Sequence, residues 1–79
     1  MVKLKDLKKD DNIAECDIFP EDSIENGHIT VDIKSGELKE ALLPKGYEWC
    51  ENHIRHAVNN LIRLAKEGNL PSEYTVIWH

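Results

Sequence analysis

The clearest hydrophobic pattern in the chain lies within residues 47–67. Apolar residues recur there at spacings of three and four, which places them on one side of an α-helix. They are Tyr47, Cys50, Ile54, Val58, Leu61 and Ala65. Pro44 precedes the segment, and Gly68 is suited to the left-handed position after the last helical turn. The pattern therefore predicts one long amphipathic helix over residues 47–67.

Three other segments have the composition of β-strands. Residues 12–19 (NIAECDIF) and 28–33 (HITVDI) alternate between apolar and polar residues, as half-buried strands do. In the first of them, one side carries Ala14, Cys16 and Ile18. Residues 74–78 (YTVIW) are rich in β-forming side chains and are apolar on both sides. These segments predict three strands.

The segment ELKEALL, residues 37–43, follows a hairpin-turn signal in which Gly36 can adopt a positive φ. A two-residue turn would direct Leu38 and Leu42 inward. A three-residue turn with a glycine bulge would instead direct Ala41 and Leu43 inward. The pattern favours a strand, and a helical interpretation of residues 37–43 stays open.

The predicted order is β-β-β-α-β. It indicates an α+β fold with a mainly antiparallel four-stranded sheet and one long helix packed on one face. Residues 12–79 form a single small α+β domain in this interpretation. Residues 1–11 contain four lysines and no run of large apolar side chains, and we expect them to form a flexible basic N-terminal arm.

One helix covers only one face of a sheet, so a second apolar surface needs another cover. The last strand offers two alternating sets of side chains, one with Tyr74, Val76 and Trp78 and the other with Thr75, Ile77 and His79. We therefore expect the protein to be a homo-oligomer or to bind another protein. Trp78 is the first residue to test, because removing a buried interface tryptophan is costly.

Charge and cysteine content narrow the possible functions. The net charge is −5, and residues 10–51 hold twelve acidic residues against three lysines, which argues against general nucleic-acid binding. Two cysteines are too few for a disulfide framework, and neither a signal peptide nor a membrane-length apolar run is visible. These features predict a cytoplasmic protein with reduced thiols and no membrane association.

The octet WCENHIRH, residues 49–56, raises the question of a metal site. On a helix, Cys50, His53 and His56 diverge by about 120°, so they cannot all bind one ion. A zinc site built on two of them would need ligands from distant residues: Cys16, His28 or His79. Cys50 with His53 as its base would form a nucleophilic pair, but Cys50 faces the predicted core. We predict no metal, cofactor or small-molecule ligand, and keep a small zinc-binding domain as an alternative.

A second stripe runs along the predicted helix beside the core side. It consists of aromatic and amide side chains, which suit protein contacts. With two residues of the last strand it makes the candidate interaction surface: Trp49, His53, His56, Asn60, Tyr74 and Trp78.

Nucleotide-binding and catalytic motifs such as GxxxxGK[ST], GxSxG, HExxH and CxxC do not occur in the sequence. The sequence therefore predicts a non-enzymatic, self-associating protein-interaction module. The alternative is a nucleic-acid-associated accessory protein that uses the basic arm and the helix, where Arg55, Arg63 and Lys66 form an outer basic arc.

Overall fold

Five antiparallel strands and one helix make up the computed structural model, which describes residues 1–78. The elements are β1 (Val2–Asp10), β2 (Ile13–Pro20), β3 (Gly27–Asp32), β4 (Leu38–Leu42), α1 (Glu51–Glu67) and β5 (Glu73–Val76). The strand order in the sheet is β4-β3-β2-β1-β5, and α1 packs on one face. The predicted α+β class with one helix on an antiparallel sheet is confirmed, with five strands instead of four.

The fifth strand comes from residues that the sequence analysis places in a flexible arm. Residues 2–10 form β1, which lies between β2 and β5 and pairs with both. Val2 and Leu4 are fully buried, while Lys3 and Lys5, which alternate with them, point to the uncovered face. The lysines of this segment therefore mark the polar side of a strand. A two-residue period with only two or three apolar members is a weak signal, which explains why it was missed.

The alternation of β2 and β3 is confirmed. On β2, Ala14, Cys16 and Ile18 are fully buried beneath α1, and on β3 the covered side chains are Ile29 and Val31. The covered face, with the inner side of α1, forms one core whose buried members are Val2, Leu4, Ala14, Cys16, Ile18, Ile29, Val31, Ile33, Ala57, Val58, Leu61, Ala65 and Val76.

The helix begins later than predicted and ends where predicted. Residues 47–50 form turns, in which the Cys50 N–H donates to the carbonyl oxygen of Tyr47 at 3.0 Å, and α1 starts at Glu51. At the other end Gly68 has φ 76° and its N–H donates to the carbonyl oxygen of Ala65. This left-handed termination is the one that the sequence predicts.

Residues 37–43 contain the strand β4, so the helical alternative is wrong. Ala41 pairs with Ile29, which puts Ala41 on the covered face, and Leu43 packs against the core. Leu42 points to the other face. Thr30 pairs with Glu40, but the next residue, Val31, pairs with Leu38. One residue of β4 is therefore extra at this point, and β4 carries a bulge. Ala41 and Leu43 therefore face inward as in the bulged alternative, but the extra residue is Lys39 within β4 and not Gly36, and Leu38 pairs with the covered Val31.

The last strand presents Tyr74 and Val76 to the covered face, and Trp78 follows them on that side. Trp78 packs against α1, so the set of alternating side chains that contains Trp78 is the covered one. The physical reason is β1, which pairs with β5 and lets the helix cover both strands. Thr75 and Ile77 take the uncovered side, and His79 lies outside the described residues. Within residues 1–78 no helix is long and apolar enough to cross a membrane.

Candidate functional site

The six residues predicted as an interaction surface lie in one continuous strip between α1 and β5. We call this set the aromatic strip: Trp49, His53, His56, Asn60, Tyr74 and Trp78. Four of its members come from α1 or the turn before it, and two come from the end of the chain. The sequence pattern therefore grouped residues that the fold brings together.

Ring contacts hold the first part of the strip. The His56 ring stacks on Trp78 with centroids 4.1 Å apart and planes 15° apart. His53 meets the same tryptophan edge-on, at 4.9 Å and 80°, and its other neighbour is Trp49 at 5.7 Å and 88°. Stacked and edge-to-face pairs at these distances are favourable. Trp78 is thus engaged by two histidines of the helix.

Hydrogen bonds hold the second part. The Asn60 side-chain amide donates to the backbone carbonyl of His56 at 2.8 Å. Arg63, which the sequence analysis assigns to the outer basic arc, donates from Nη2 to Oδ1 of Asn60 at 3.1 Å and to the hydroxyl of Tyr74 at 2.9 Å. The arginine therefore bridges the helix and β5, and these polar groups already have partners within the chain.

Exposure separates the members of the strip. His53 is only 8% exposed, and His56, Asn60, Tyr74 and Trp78 are half-buried. Trp49 is 64% exposed. Its indole N–H donates to the carbonyl oxygen of Gly46 at 3.2 Å, so the ring is held while most of its surface faces solvent. Trp49 is the part of the strip that can contact another molecule over a large area.

Two exposed apolar residues that the sequence pattern does not single out, Ile24 and Met1, line depressions at or next to Trp49. Ile24, in the loop between β2 and β3, is 94% exposed, and Met1 is also exposed. A shallow depression runs between Met1 and Trp49 past Asp22, and an adjoining one runs from Asp22 to Ile24 and Tyr47. We call the group Met1, Ile24, Tyr47 and Trp49 the Trp49 patch. Ile24 is the one large apolar residue in the polar segment EDSIEN, and this isolation was the available sequence signal.

Two contacts tie the loop between β2 and β3 to the start of the helix. The Tyr47 hydroxyl donates to Oδ1 of Asp22 at 2.7 Å. Oε2 of Glu21 lies 2.9 Å from Nε2 of His53 and accepts a hydrogen bond from the Met1 α-amino group at 2.6 Å. These hydrogen bonds, first that of the amino group and then that of His53, lower the pKa of Glu21. The base of the patch is therefore fixed by charged and polar contacts.

Both cysteines are buried and unpaired, and neither has the environment of a thiolate. Burial, followed by the charges of Asp17 and Glu15, raises the pKa of Cys16 to about 12. Burial and then the charge of Glu21 raise the pKa of Cys50. Nucleophilic and metal-binding cysteines need the opposite shift. The raised pKa disfavours the thiolate form of Cys50 that a nucleophilic pair with His53 would need.

A metal site also has little support from the geometry. In the part of the chain that the structure describes, no three His, Cys, Asp or Glu side chains are grouped to hold an ion. His28 lies on the uncovered face, where Nδ1 is 2.9 Å from Asp17 and Nε2 is 3.5 Å from Glu15. His79, the remaining ligand considered in the sequence, lies outside the described residues.

The lysines of β1 do not form a free basic arm. Lys5 is 3.4 Å from Glu73 and lies over the ring of Phe19, 5.1 Å from its centroid. On the helix, Arg63 is 3.3 Å from Glu67. Lys5 and Arg63 each lie beside a carboxylate, which lowers the positive charge that these two residues could offer to nucleic acid.

Comparisons with protein-family models, curated proteins and solved structures found no match to this chain.

Proposed function

We propose that this chain is a small, non-catalytic protein-interaction module and that the Trp49 patch is its binding surface. The observation that supports this most is the state of Trp49, which is 64% exposed although its indole N–H is hydrogen-bonded to Gly46. Tryptophan is the side chain most enriched among residues that dominate binding energy. The neighbouring Ile24 and Met1 extend the exposed apolar area around it.

The fixed geometry of the patch favours binding. Tyr47 lies 6.2 Å from Trp49 between ring centroids, and its hydroxyl is bonded to Asp22. Side chains that are already ordered lose little conformational entropy when a partner docks. Burial raises the pKa of the Cys50 thiol, which does not favour nucleophilic catalysis with His53.

Self-association is a second candidate, with a different anchor from the one predicted. Leu42 and Ile77 are 59% and 68% exposed and lie on the uncovered face. Analytical ultracentrifugation of the wild type and of Ile77→Asp tests it. A dimer that dissociates in the variant supports association through this face, and a wild type that stays monomeric at high micromolar concentration contradicts it.

The main proposal is tested by comparing matched baits for capture of a partner from the source cells. The baits are the wild type, Trp49→Ala and Leu38→Ala; Leu38 is also an exposed apolar residue, at 40%, near the opposite end of the sheet. We expect the partner to bind the wild type and Leu38→Ala and to be lost with Trp49→Ala. With the purified partner, Trp49→Ala should raise Kd about thirtyfold.

Circular dichroism of each bait controls for folding. Because Trp49 is mostly exposed, Trp49→Ala should keep the wild-type spectrum. Equal partner binding by all three folded baits would show that the patch is not the binding surface.

We also propose a cytoplasmic location, which the unpaired state of Cys16 and Cys50 supports. Fluorescence microscopy of a tagged full-length chain, with fractionation of the cells, tests this. Enrichment in a secreted or membrane fraction would contradict it.

A further inference from the structure

We infer that the Trp49 patch binds a basic segment of another protein, in which an apolar side chain is flanked by lysine or arginine. This inference rests on the proposed function and adds the chemistry of the partner. It is carried by the charges that surround the patch, since the apolar side chains alone do not select one partner over another.

Acidic side chains surround the exposed apolar surface. Glu21, Asp22 and Glu25 line the two depressions. Glu48 and Glu51 lie within two residues of Trp49 in the chain. The lysines that line the same depressions are Lys3 and Lys45. Five carboxylates against two lysines and the Met1 α-amino group leave two negative charges in excess around the patch.

The Met1 α-amino group offsets the charge of Glu21, whereas the hydrogen bond from the neutral Tyr47 hydroxyl leaves the charge of Asp22 in place. Glu21 is bonded to the Met1 α-amino group and lies beside His53, and Asp22 accepts from Tyr47. Glu25, Glu48 and Glu51 are exposed. Screening in physiological salt acts over roughly 8 Å, so groups at the edge of the patch still attract a bound cation. A cationic segment would find these carboxylates around an apolar centre.

Trp49 itself suits such a partner. The indole N–H is already bonded to Gly46, so the exposed surface is mainly aromatic ring. Lysine and especially arginine side chains bind to the faces of tryptophan rings. An apolar side chain of the same segment can contact Ile24, which lies on the other side of Asp22. The contact with Trp49 accounts for the lysine or arginine of the inferred partner, and the contact with Ile24 accounts for its apolar side chain.

The same charges disfavour other occupants. In a symmetric dimer each subunit presents the same patch, so two acidic surroundings would face each other. Nucleic acids and anionic membrane surfaces carry negative charge and would be repelled for the same reason. A basic protein segment meets neither penalty.

Selection from a random peptide display library on the full chain tests the inference. We expect peptides enriched on the wild type and not on Trp49→Ala to contain an apolar residue flanked by lysine or arginine. For a selected synthetic peptide, Trp49→Ala should raise Kd about thirtyfold. The double variant Glu25→Lys and Glu51→Lys should raise it on the order of tenfold. Binding should also weaken when sodium chloride is raised from about 50 to about 300 mM.

Two controls accompany the measurement. Asp10→Lys reverses an exposed acid at the opposite end of β1 and should leave Kd unchanged. Ile24→Asp gives a second disruption of the patch at a side chain that is 94% exposed, so folding should not be affected.

The outcomes separate this inference from the proposed function. Peptides that require Trp49 but carry no basic excess would overturn the inference and leave the binding surface standing. Peptides that bind Trp49→Ala and Ile24→Asp as well as the wild type would overturn both. A library that yields no enriched peptide, or a wild-type dimer that Trp49→Ala dissociates, would overturn the basic partner.

Discussion

The two faces of the sheet can be compared residue by residue along β2. Ala14, Cys16 and Ile18 are fully buried under α1, whereas Glu15 and Asp17, which alternate with them, lie on the uncovered face. The covered face holds the aliphatic core. The uncovered face holds polar groups that contact each other, such as Asp17 and His28.

This difference changes how the protein is expected to act. A bare sheet face with a single helix opposite suggests an apolar surface that a second subunit must cover. The observed uncovered face is dominated by charged side chains, and the exposed Trp49 and Ile24 lie instead at the end of the sheet, where loops meet the start of α1. Substitutions on the two faces, at the contact between β3 and β4 and at the two ends of α1 can test this arrangement.

The largest contrast is expected in thiol reactivity. Cys16 and Cys50 are fully buried, and burial raises the pKa of both thiols. A cysteine introduced by Thr75→Cys is exposed on the uncovered face. At pH 8 it should react with a thiol reagent on the order of a thousandfold faster than the native cysteines, whose reaction requires opening of the fold. If the native cysteines of the folded protein reacted as fast as the introduced cysteine, the covered face would be open to solvent.

The next contrast is between neighbouring side chains of β2. Ile18→Ala removes fully buried groups from the covered face and should cost about 2–5 kcal/mol of unfolding free energy. Phe19→Ala, on the other face, should cost about 1 kcal/mol, mainly through its contact with Lys5. Urea denaturation measures both, and a larger loss for Phe19→Ala would reverse the assignment of the faces.

Gly27 tests how closely β3 and β4 approach. A Cβ added there would collide with the backbone carbonyl of Leu42, so Gly27→Ala should cost about 1–3 kcal/mol. The matched variant His28→Ala alters the uncovered face and breaks a partly exposed pair with Asp17, at a cost below about 1 kcal/mol. If Gly27→Ala unfolds at the wild-type urea concentration, the two strands are farther apart than described.

A smaller effect is expected where the helix ends. Gly68 has φ 76°, which a β-branched residue adopts at a cost, so Gly68→Val should lower the unfolding free energy by about 1–2 kcal/mol. Gly68→Asn should cost less, because asparagine tolerates the left-handed region better. Thermal unfolding of the two variants measures the difference, and identical melting temperatures would place the helix terminus elsewhere.

The smallest effect concerns the start of the helix in acid. The pKa of Glu21 is lowered by hydrogen bonds from the Met1 amino group and His53. A lowered pKa gives stability that is present above the ordinary glutamate pKa and is lost as pH falls through the lowered value. Glu21→Gln should therefore destabilise the protein at pH 7 and have little effect in strong acid. Glu25→Gln, an exposed neighbour, should have little effect at either pH.

Much of the covered face could be predicted from the sequence, because it depends on local periodicity. The alternation of β2 and β3, the central turns of α1 and the glycine at its end all follow from side-chain spacing and the φ that Gly68 adopts. Strand β1 could not be recognised in the same way, because its lysines dominate the short apolar pattern of Val2 and Leu4.

The candidate site was predictable only in part. The aromatic strip follows the helical period, so its members could be grouped from the sequence. The exposure of each member depends on the pairing of β1 with β5. With this pairing Trp78 lies against the helix, and Trp49 stays exposed. Met1 lines one depression with Trp49, and Ile24 lines the adjoining one. These positions depend on pairings between distant segments, which the alternation along one strand does not reveal.

The pairing of the first strand with the last has a kinetic consequence. Val2 pairs with Val76, so β5 joins the sheet only when a loop of nearly the whole chain closes, whereas β2, β3 and β4 are connected by short hairpins. Such distant pairing slows folding relative to local contacts. On a growing chain, β1 must wait for its second neighbour, and meanwhile it presents an open edge with alternating apolar side chains to other chains. The period most prone to aggregation is therefore the interval before residues 73–76 emerge from the ribosome.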